Sequence, residues 1–400
     1  MGPMGMSRAA VGLLLIAALG CGGGGSAPSG AGGGTAGAGG AGGGAAGAGG
    51  GLAGTAGGGA GTGGAAGAVD GGGRDWSQID ALLQGAAADA GVSSFGLIVW
   101  NRDDQRIYER MLGGFTADTR VAVASSSKMV SGMVIFDAIR RGELSLDSTT
   151  GQVLGWTWPN AAITLRQLLS FTSGLARTAT CTLNPLVTLA ACVDDIRDAT
   201  PTADPGTRFD YGSTHLQVAA RMAEVASGKT WSQLFADTLR APLGLSSDVA
   251  YFTLPKQQLG MINPLVAGGM RTSMNEYAPM LALAFHRGTA GGLTIGTPAL
   301  FDEMAKEPYP GVTIGSSPVM QIGLPYRYGL TAWLMCDTPA AGCAELSSPG
   351  AFGFTPWFDR AAGYFAILGM ELSGDAVDTG VVDFAVKLQQ QLAPLIRQLL

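Results

Sequence analysis

The order of hydrophobic and polar positions along the chain divides it into three stretches. Residues 9–19 form one short apolar run, and residues 22–69 follow with no charge and almost no side chain able to pack. From Asp75 onward the pattern becomes that of a folded domain. Trp76–Ala88 places Trp76, Ile79, Leu82 and Leu83 on one helical face. The runs 94–100 (SFGLIVW) and 106–111 read as two strands joined by the polar turn Asn101-Arg102-Asp103-Asp104. A helix is predicted over 127–141, ending at Gly142, and further helical patterns at 165–170, 215–227, 231–240 and 274–287. Strand-like runs return at 328–335, 350–358 and 364–371, and 381–400 closes the chain as a helix. Strands and a helix at both ends, with helices between, predict an α/β fold: a sheet flanked by helices with an inserted, mainly helical domain.

Composition explains the stretch without a pattern. Of the 65 glycines, 29 fall within residues 22–73, without the strict three-residue period of collagen. Such a tract cannot offset its ordering entropy and is expected to act as a disordered linker. Before it, Arg8 precedes the short apolar run, and small residues lead to Cys21. This is the pattern of an export signal, too short to span a bilayer permanently. Ala18-Leu19-Gly20-Cys21 resembles a bacterial lipobox, which implies lipidation of Cys21. The expected organisation is therefore a lipoprotein signal peptide (1–21), a Gly/Ala-rich linker (22–73) and one domain (74–400). Within that domain the α/β part is expected at about 74–145 and 320–400, and the helical part at about 146–319. The protein is expected to be exported and held in the bacterial cell envelope by its lipid.

The net charge of −6 gives no basic footprint for nucleic acid, and two histidines argue against a His-rich metal site. Cys181, Cys192, Cys336 and Cys343 remain once Cys21 is set aside. Four cysteines allow three pairings, and proximity favours Cys181–Cys192 and Cys336–Cys343. Neither pair has the spacing of a zinc site.

One short segment carries the chemistry. In Ser125-Ser126-Ser127-Lys128, a serine and a lysine stand one helical turn apart at a predicted helix start. A serine hydroxyl needs a neighbouring base, and lysine can serve only if desolvation depresses its pKa. The chain has five lysines; Lys229, Lys256, Lys306 and Lys387 follow Ala226, Thr253, Glu303 and Phe384 at that spacing, so only Lys128 qualifies.

Residues around this segment resemble the serine β-lactamase and penicillin-binding-protein-like superfamily, most closely the class C β-lactamase-related hydrolases that include esterases. The resemblance rests on S-x-x-K, on Gly142-Glu143-Leu144-Ser145-Leu146-Asp147, on Leu168-Leu169 with Ser173-Gly174-Leu175, and on the frame from Pro205 to Tyr211. Gly268-Gly269-Met270 and the C-terminal strands extend it over about residues 76–400. Phe171 stands where the family often has histidine, a packing change. The family's Y-x-N appears as Tyr211-Gly212-Ser213. The resemblance implies that Tyr211 shuttles the serine proton, with Lys128 lowering the phenol pKa, while Ser213 replaces an asparagine that would touch substrate. The third motif, K-T-G or H-x-G, aligns with Ser348-Pro349-Gly350, so Ser348 and Gly350 would border the substrate and no cation remains. Loss of such a charge-assisted contact costs roughly 1.5–3 kcal/mol. This argues against β-lactams and D-Ala-D-Ala termini and leaves small esters. The backbone N–H groups of Ser125 and Ala351 would form the oxyanion hole.

The expected function is serine hydrolysis of ester or amide substrates through an acyl-enzyme, without metal or organic cofactor. The alternatives are a β-lactamase or D-Ala-D-Ala carboxypeptidase, or an inactive envelope protein that binds a partner. Gly228-Lys229-Thr230 fits neither a phosphate loop nor K-T-G. His215 lacks the context of a catalytic triad and is expected at the surface. The pairs Asp103-Asp104 and Asp194-Asp195 are expected in solvated turns or caps.

Overall fold

The computed structural model describes residues 73–90, 92–372 and 379–400. The expected signal peptide, Cys21 and the Gly/Ala tract up to residue 72 lie outside the described residues. Contacts divide the chain into residues 1–61 and 62–400, and only the second of these contains described residues.

The frame is a seven-stranded, fully antiparallel sheet assembled from the two ends of the domain. Its strands are β1 (Phe95–Asn101), β2 (Arg106–Leu112), β3 (Arg327–Tyr328), β4 (Trp333–Leu334), β5 (Glu345–Ser347), β6 (Thr355–Asp359) and β7 (Tyr364–Gly369), in spatial order β3-β4-β5-β6-β7-β1-β2. Alternation along the strands feeds two cores. Leu97 and Val99 of β1, with Tyr364, Ala366 and Leu368 of β7, pack outward under α1 (Ser77–Ala90) and the closing helix α6 (Thr379–Leu399). Ile98 and Trp100, with Phe365 and Ile367, point the other way into a much larger core. Trp100 and Phe365 face each other across the β1–β7 pair and stack at 5.3 Å.

The larger core is organised around α2 (Ser127–Arg140), of which twelve residues from Ser127 to Ala138 are buried. A helix that is apolar nearly all round belongs inside a protein, and α2 runs between the sheet and the helices of the middle region. Those are α3 (Leu189–Asp198), α4 (Thr214–Ser227) and α5 (Met274–Phe285), with shorter helical turns between them. A three-stranded ladder, Val121–Ala122 with Met270–Thr272 and Ala250–Tyr251, delivers the chain to the start of α2.

Four sequence expectations need correction. The run 328–335 is a tight hairpin, β3 and β4, rather than one strand; it turns at Thr331, whose φ of 64° is unusual for a β-branched residue. The run 350–358 is a loop up to Phe354, and the strand leading into Ser348 is β5, which the pattern did not predict. Helix α3 was missed because Asp194-Asp195 read as a solvated turn. Its Leu189, Cys192, Val193 and Ile196 nonetheless form a buried face. His215 is fully buried, with Nδ1 2.8 Å from Ser173 Oγ and Nε2 2.9 Å from the Asp210 carbonyl.

Candidate active site

The chain enters α2 through a strained turn. Ala124 has φ of 45°, a left-handed conformation that costs an alanine about 1–2 kcal/mol. Such strain persists only where the surroundings hold it. Here the Ser127 hydroxyl donates to the Ala124 carbonyl at 2.7 Å and accepts from Met270 N–H at 3.1 Å. The Ser126 hydroxyl lies 2.7 Å from the Ser348 carbonyl and 2.8 Å from that of Phe354, and Tyr277 donates to the Ser126 carbonyl at 2.8 Å. Within this turn Ser126, Ser127 and Lys128 are buried, whereas Ser125 keeps part of its surface open.

Lys128 is 4 % exposed, with Nζ 2.8 Å from Ser125 Oγ and 2.7 Å from the Ala267 carbonyl. No carboxylate pairs with it among the described residues. Desolvation alone brings its pKa down to about 7, so a large share is neutral at neutral pH. The lysine also stands 4.7 Å over the ring of Tyr211.

Tyr211 follows the short strand Arg208–Asp210 and precedes α4. Its ring lies among Trp333 at 5.2 Å, Phe171 at 5.3 Å and Tyr328 at 5.8 Å. The expected lowering of its pKa by Lys128 is not found. Desolvation pushes the phenol up from its ordinary value, and hydrogen bonding with Ser125 and Trp333 pulls it only partly back. The proton therefore stays on the phenol while the amine is free to take one. Phe171, at the position the family often gives to histidine, stacks on His215 at 5.1 Å. His215 is itself held neutral, its pKa lowered to about 4 by burial and by the charge of Lys128.

Ser125, Lys128 and Tyr211 thus meet at the head of α2. Gly212 packs closely on the backbone at Arg177, where a Cβ would stand 2.0 Å from the carbonyl. Ser213 is half-buried; its N–H donates to the Arg177 carbonyl at 2.9 Å, and among the described residues no hydrogen bond joins its hydroxyl to the other three. Ser348 packs beneath Ser125 instead of standing open to solvent: it is 3 % exposed, and its hydroxyl donates to the Ser125 carbonyl at 3.0 Å. Gly350 comes so close to the turn that a Cβ would stand 2.2 Å from the Val123 carbonyl. Ala351 follows in a half-buried turn closed by Gly350 N–H donating to Phe354 O at 2.8 Å, and no backbone carbonyl among the described residues takes the Ala351 N–H.

Sequence reasoning missed Trp333, the Ala267 carbonyl and the buried hydroxyls of Ser126 and Ser127. Only Ala267 left a trace, in the Gly268-Gly269 pair beside it. The two expected disulfides form: Cys181–Cys192 ties the turn at 180–183 to α3, and Cys336–Cys343 closes the loop between β4 and β5. No cluster of three His, Cys, Asp or Glu side chains suited to a metal occurs among the described residues.

A serine and a lysine one turn apart at the head of a buried helix, set against an antiparallel sheet, define the frame of the active-site-serine hydrolases. Comparison with known proteins narrows this further. The Beta-lactamase family model matches residues 79–363, and the chain belongs to that family. Penicillin-binding protein 4 of Amycolatopsis lactamdurans is 32% identical over 170 residues, 39% of this chain and 44% of that protein. The matched stretch therefore spans less than half the length of that relative. Among solved structures, a candidate beta-lactamase from Bacteroides dorei is 27% identical with a TM-score of 0.67, covering 78% of this chain and 98% of its own. EstCE1, a hydrolase with promiscuous acyltransferase activity, shares the fold at 18% identity and a TM-score of 0.60, over 76% of this chain and 97% of its own.

Proposed function

We propose that this protein hydrolyses small esters through an acyl-enzyme on Ser125. The observation that carries this reading is the Lys128 amine, 2.8 Å from Ser125 Oγ and desolvated to a pKa of about 7. Neutral Lys128 takes the hydroxyl proton as Ser125 Oγ bonds to the ester carbonyl carbon. The resulting oxyanion is held by the N–H groups of Ser125 and Ala351. As the tetrahedral intermediate collapses, the proton passes from the Lys128 ammonium to the departing alkoxide by way of the Tyr211 phenol, whose ring lies 4.7 Å from Lys128 Nζ. Water then enters, gives its proton to Lys128, and releases the acid as Ser125 regains its own.

Ser348 stands where K-T-G carries its cation and turns its hydroxyl to the Ser125 carbonyl, so the third motif offers a carboxylate no charge, which supports esters over β-lactams. The protein is further proposed to be exported, lipid-anchored at Cys21, and to carry its hydrolase domain beyond a Gly/Ala-rich linker.

The test is labelling of the purified protein with a fluorescent fluorophosphonate beside a fluorescent penicillin. The fluorophosphonate is expected to label wild type, and Ser125→Ala to abolish labelling while keeping the melting temperature within about 2 °C, as befits a substitution that removes one partly exposed hydroxyl. Labelling elsewhere, or none in folded protein, removes Ser125 as nucleophile and favours an inactive binding protein. Faster reaction with penicillin than with small esters favours the β-lactamase or carboxypeptidase reading.

A further inference from the structure

The chain gathers a second set of cations away from Ser125. An open hollow of about 400 Å³ is walled by Arg102, Phe285, His286, Arg287, Arg360 and Gly363, and no residue proposed for catalysis borders it. Three segments supply these side chains. Arg102 stands in the turn between β1 and β2, His286 and Arg287 follow the last residue of α5, and Arg360 and Gly363 stand in the turn between β6 and β7. Strand register brings the two turns to one end of the sheet, because Tyr364 pairs with both Asn101 and Asp359.

Each cation is held in place. Asn101 Oδ1 accepts from the N–H groups of Asp103 and Gln105 at 3.0 and 2.9 Å, which fixes the turn that carries Arg102. The Arg102 guanidinium lies against the opposite turn, so close that a Cβ on Gly363 would stand 2.4 Å from its Nη2. Arg360 lies 4.8 Å over the ring of Phe358 and donates to the Phe285 and Ala284 carbonyls at 3.1 and 2.7 Å. The end of α5 therefore presents a guanidinium to the hollow instead of bare carbonyl oxygens. Arg287 has φ of 54°, in the left-handed region where a helix ordinarily ends on glycine. The chain accepts that strain at a position where glycine would serve the helix better, and what it gains there is a cation.

The charges do not cancel. Among the described residues, Asp104 lies 2.8 Å from His286 Nε2 and Asp302 lies 3.2 Å from Arg287 Nε, while Arg102 and Arg360 have no ion pair. Burial and the like charge of Arg287 bring the Arg360 pKa down to about 10, in spite of Asp302.

We propose that this hollow binds a phosphate group through the guanidiniums of Arg102, Arg287 and Arg360. One guanidinium fork satisfies a carboxylate; three forks arriving from three segments suit a tetrahedral anion with several oxygens to share. The hollow is open, so the group can be free or borne on a lipid headgroup. Ser125 stands well away along both elements that connect the two places. On α5, Phe285 lies about 12 Å beyond Tyr277, which donates to the Ser126 carbonyl. Along β6, Arg360 lies up to about 20 Å beyond Phe354, whose carbonyl meets the Ser126 hydroxyl. Phosphate binding should leave the nucleophile accessible, and it does not depend on the chemistry proposed there.

Isothermal titration of the full-length protein with sodium pyrophosphate, at about 0.1 M NaCl, is expected to give a Kd below about 1 mM. The double variant Arg102→Gln/Arg287→Gly should raise that Kd about tenfold or more. Arg287→Gly alone should weaken binding yet leave the melting temperature unchanged or higher, because glycine relieves the left-handed backbone and the lost pair with Asp302 is exposed. A lower melting temperature with unchanged affinity makes this arginine a structural one and overturns the site. In a parallel arm, full-length Cys21→Ser protein, which carries no lipid at position 21, is sedimented with phosphatidylcholine vesicles with and without about a third phosphatidylglycerol. Sedimentation that needs both phosphatidylglycerol and the two arginines supports the site with a headgroup as its ligand. Pyrophosphate binding without such sedimentation supports it with a free phosphate. Binding of neither overturns it, as does pyrophosphate binding that the double variant leaves unchanged. Pyrophosphate that blocks fluorophosphonate labelling of Ser125 would put the anion at the nucleophile and overturn the separate site too.

Discussion

At the scale of single residues, the site is set by what water cannot reach. Among the described residues Lys128 has no carboxylate neighbour, and the lowering of its pKa to about 7 is a desolvation effect that depends on burial. With the neutral amine as the proposed base, kcat/KM should rise with pH along a limb centred near 7 and level off above it. Stability follows the same group with a definite sign. The folded-state pKa lies below the unfolded one, so between about 7 and 10.5 the unfolded chain binds more protons and stability increases with pH; below 7 the full cost of burying the amine is felt. Lys128→Met should therefore abolish ester turnover yet raise the melting temperature at pH 7, and that gain should vanish above about pH 10.5. A pH–rate profile and thermal melts at several pH values check both halves. A flat profile across pH 6–8 would transfer the base role away from Lys128.

At the scale of elements, the turn at Ser125 is welded to the sheet by two serines far apart in the chain. Ser126 of the turn bonds to the carbonyls that follow β5 and precede β6, and Ser348 after β5 returns a bond to the Ser125 carbonyl. Ser348→Ala leaves that carbonyl without its donor. About 1 kcal/mol of stability should be lost. Labelling of Ser125 should also slow, by roughly tenfold, because the nucleophile's backbone is freed relative to Ala351. Thr at 348 should restore much of the rate, and an alanine variant as fast as wild type would show that the turn is held without this bond. Much of this scaffold was legible in the sequence. β1, β2 and β7 are long enough for alternation to show, and S-x-x-K and Tyr211 stand in recognisable frames. β3, β4 and β5 have two or three residues each, too few for any period, and their course is set by turns such as the one at Thr331. Pairings such as Ser348 with Ser125 or Lys128 with Ala267 span more than a hundred residues and leave no local signal.

At the scale of the whole molecule, the hydrolase fold is completed by its own ends. Arg74 Nε donates to the Leu399 carbonyl at 3.0 Å, and Asp75 receives the Ser77 N–H at 3.0 Å, so the fold begins at the residues just before α1 and closes at the tip of α6. Trp76, Ile79 and Leu83 share one core with Leu388, Leu392 and Ile396 beneath the outer face of the sheet. Every group proposed for catalysis lies between these ends, and no helix among the described residues is long and apolar enough to cross a membrane. Attachment and turnover should consequently separate. In a bacterial host the full-length protein is expected in the membrane fraction. Cys21→Ser should move it to the soluble fraction or leave its signal unprocessed, because Cys21 is the only cysteine beside the apolar run of 9–19. Hydrolysis of a water-soluble ester per folded molecule should be the same for the anchored form and for a chain beginning at residue 74. Unchanged fractionation of Cys21→Ser, with an unlipidated mature N-terminus by mass spectrometry, would refute the anchor and leave the hydrolase reading intact. Loss of turnover in the shortened chain would instead mean that residues before Arg74 take part in the site.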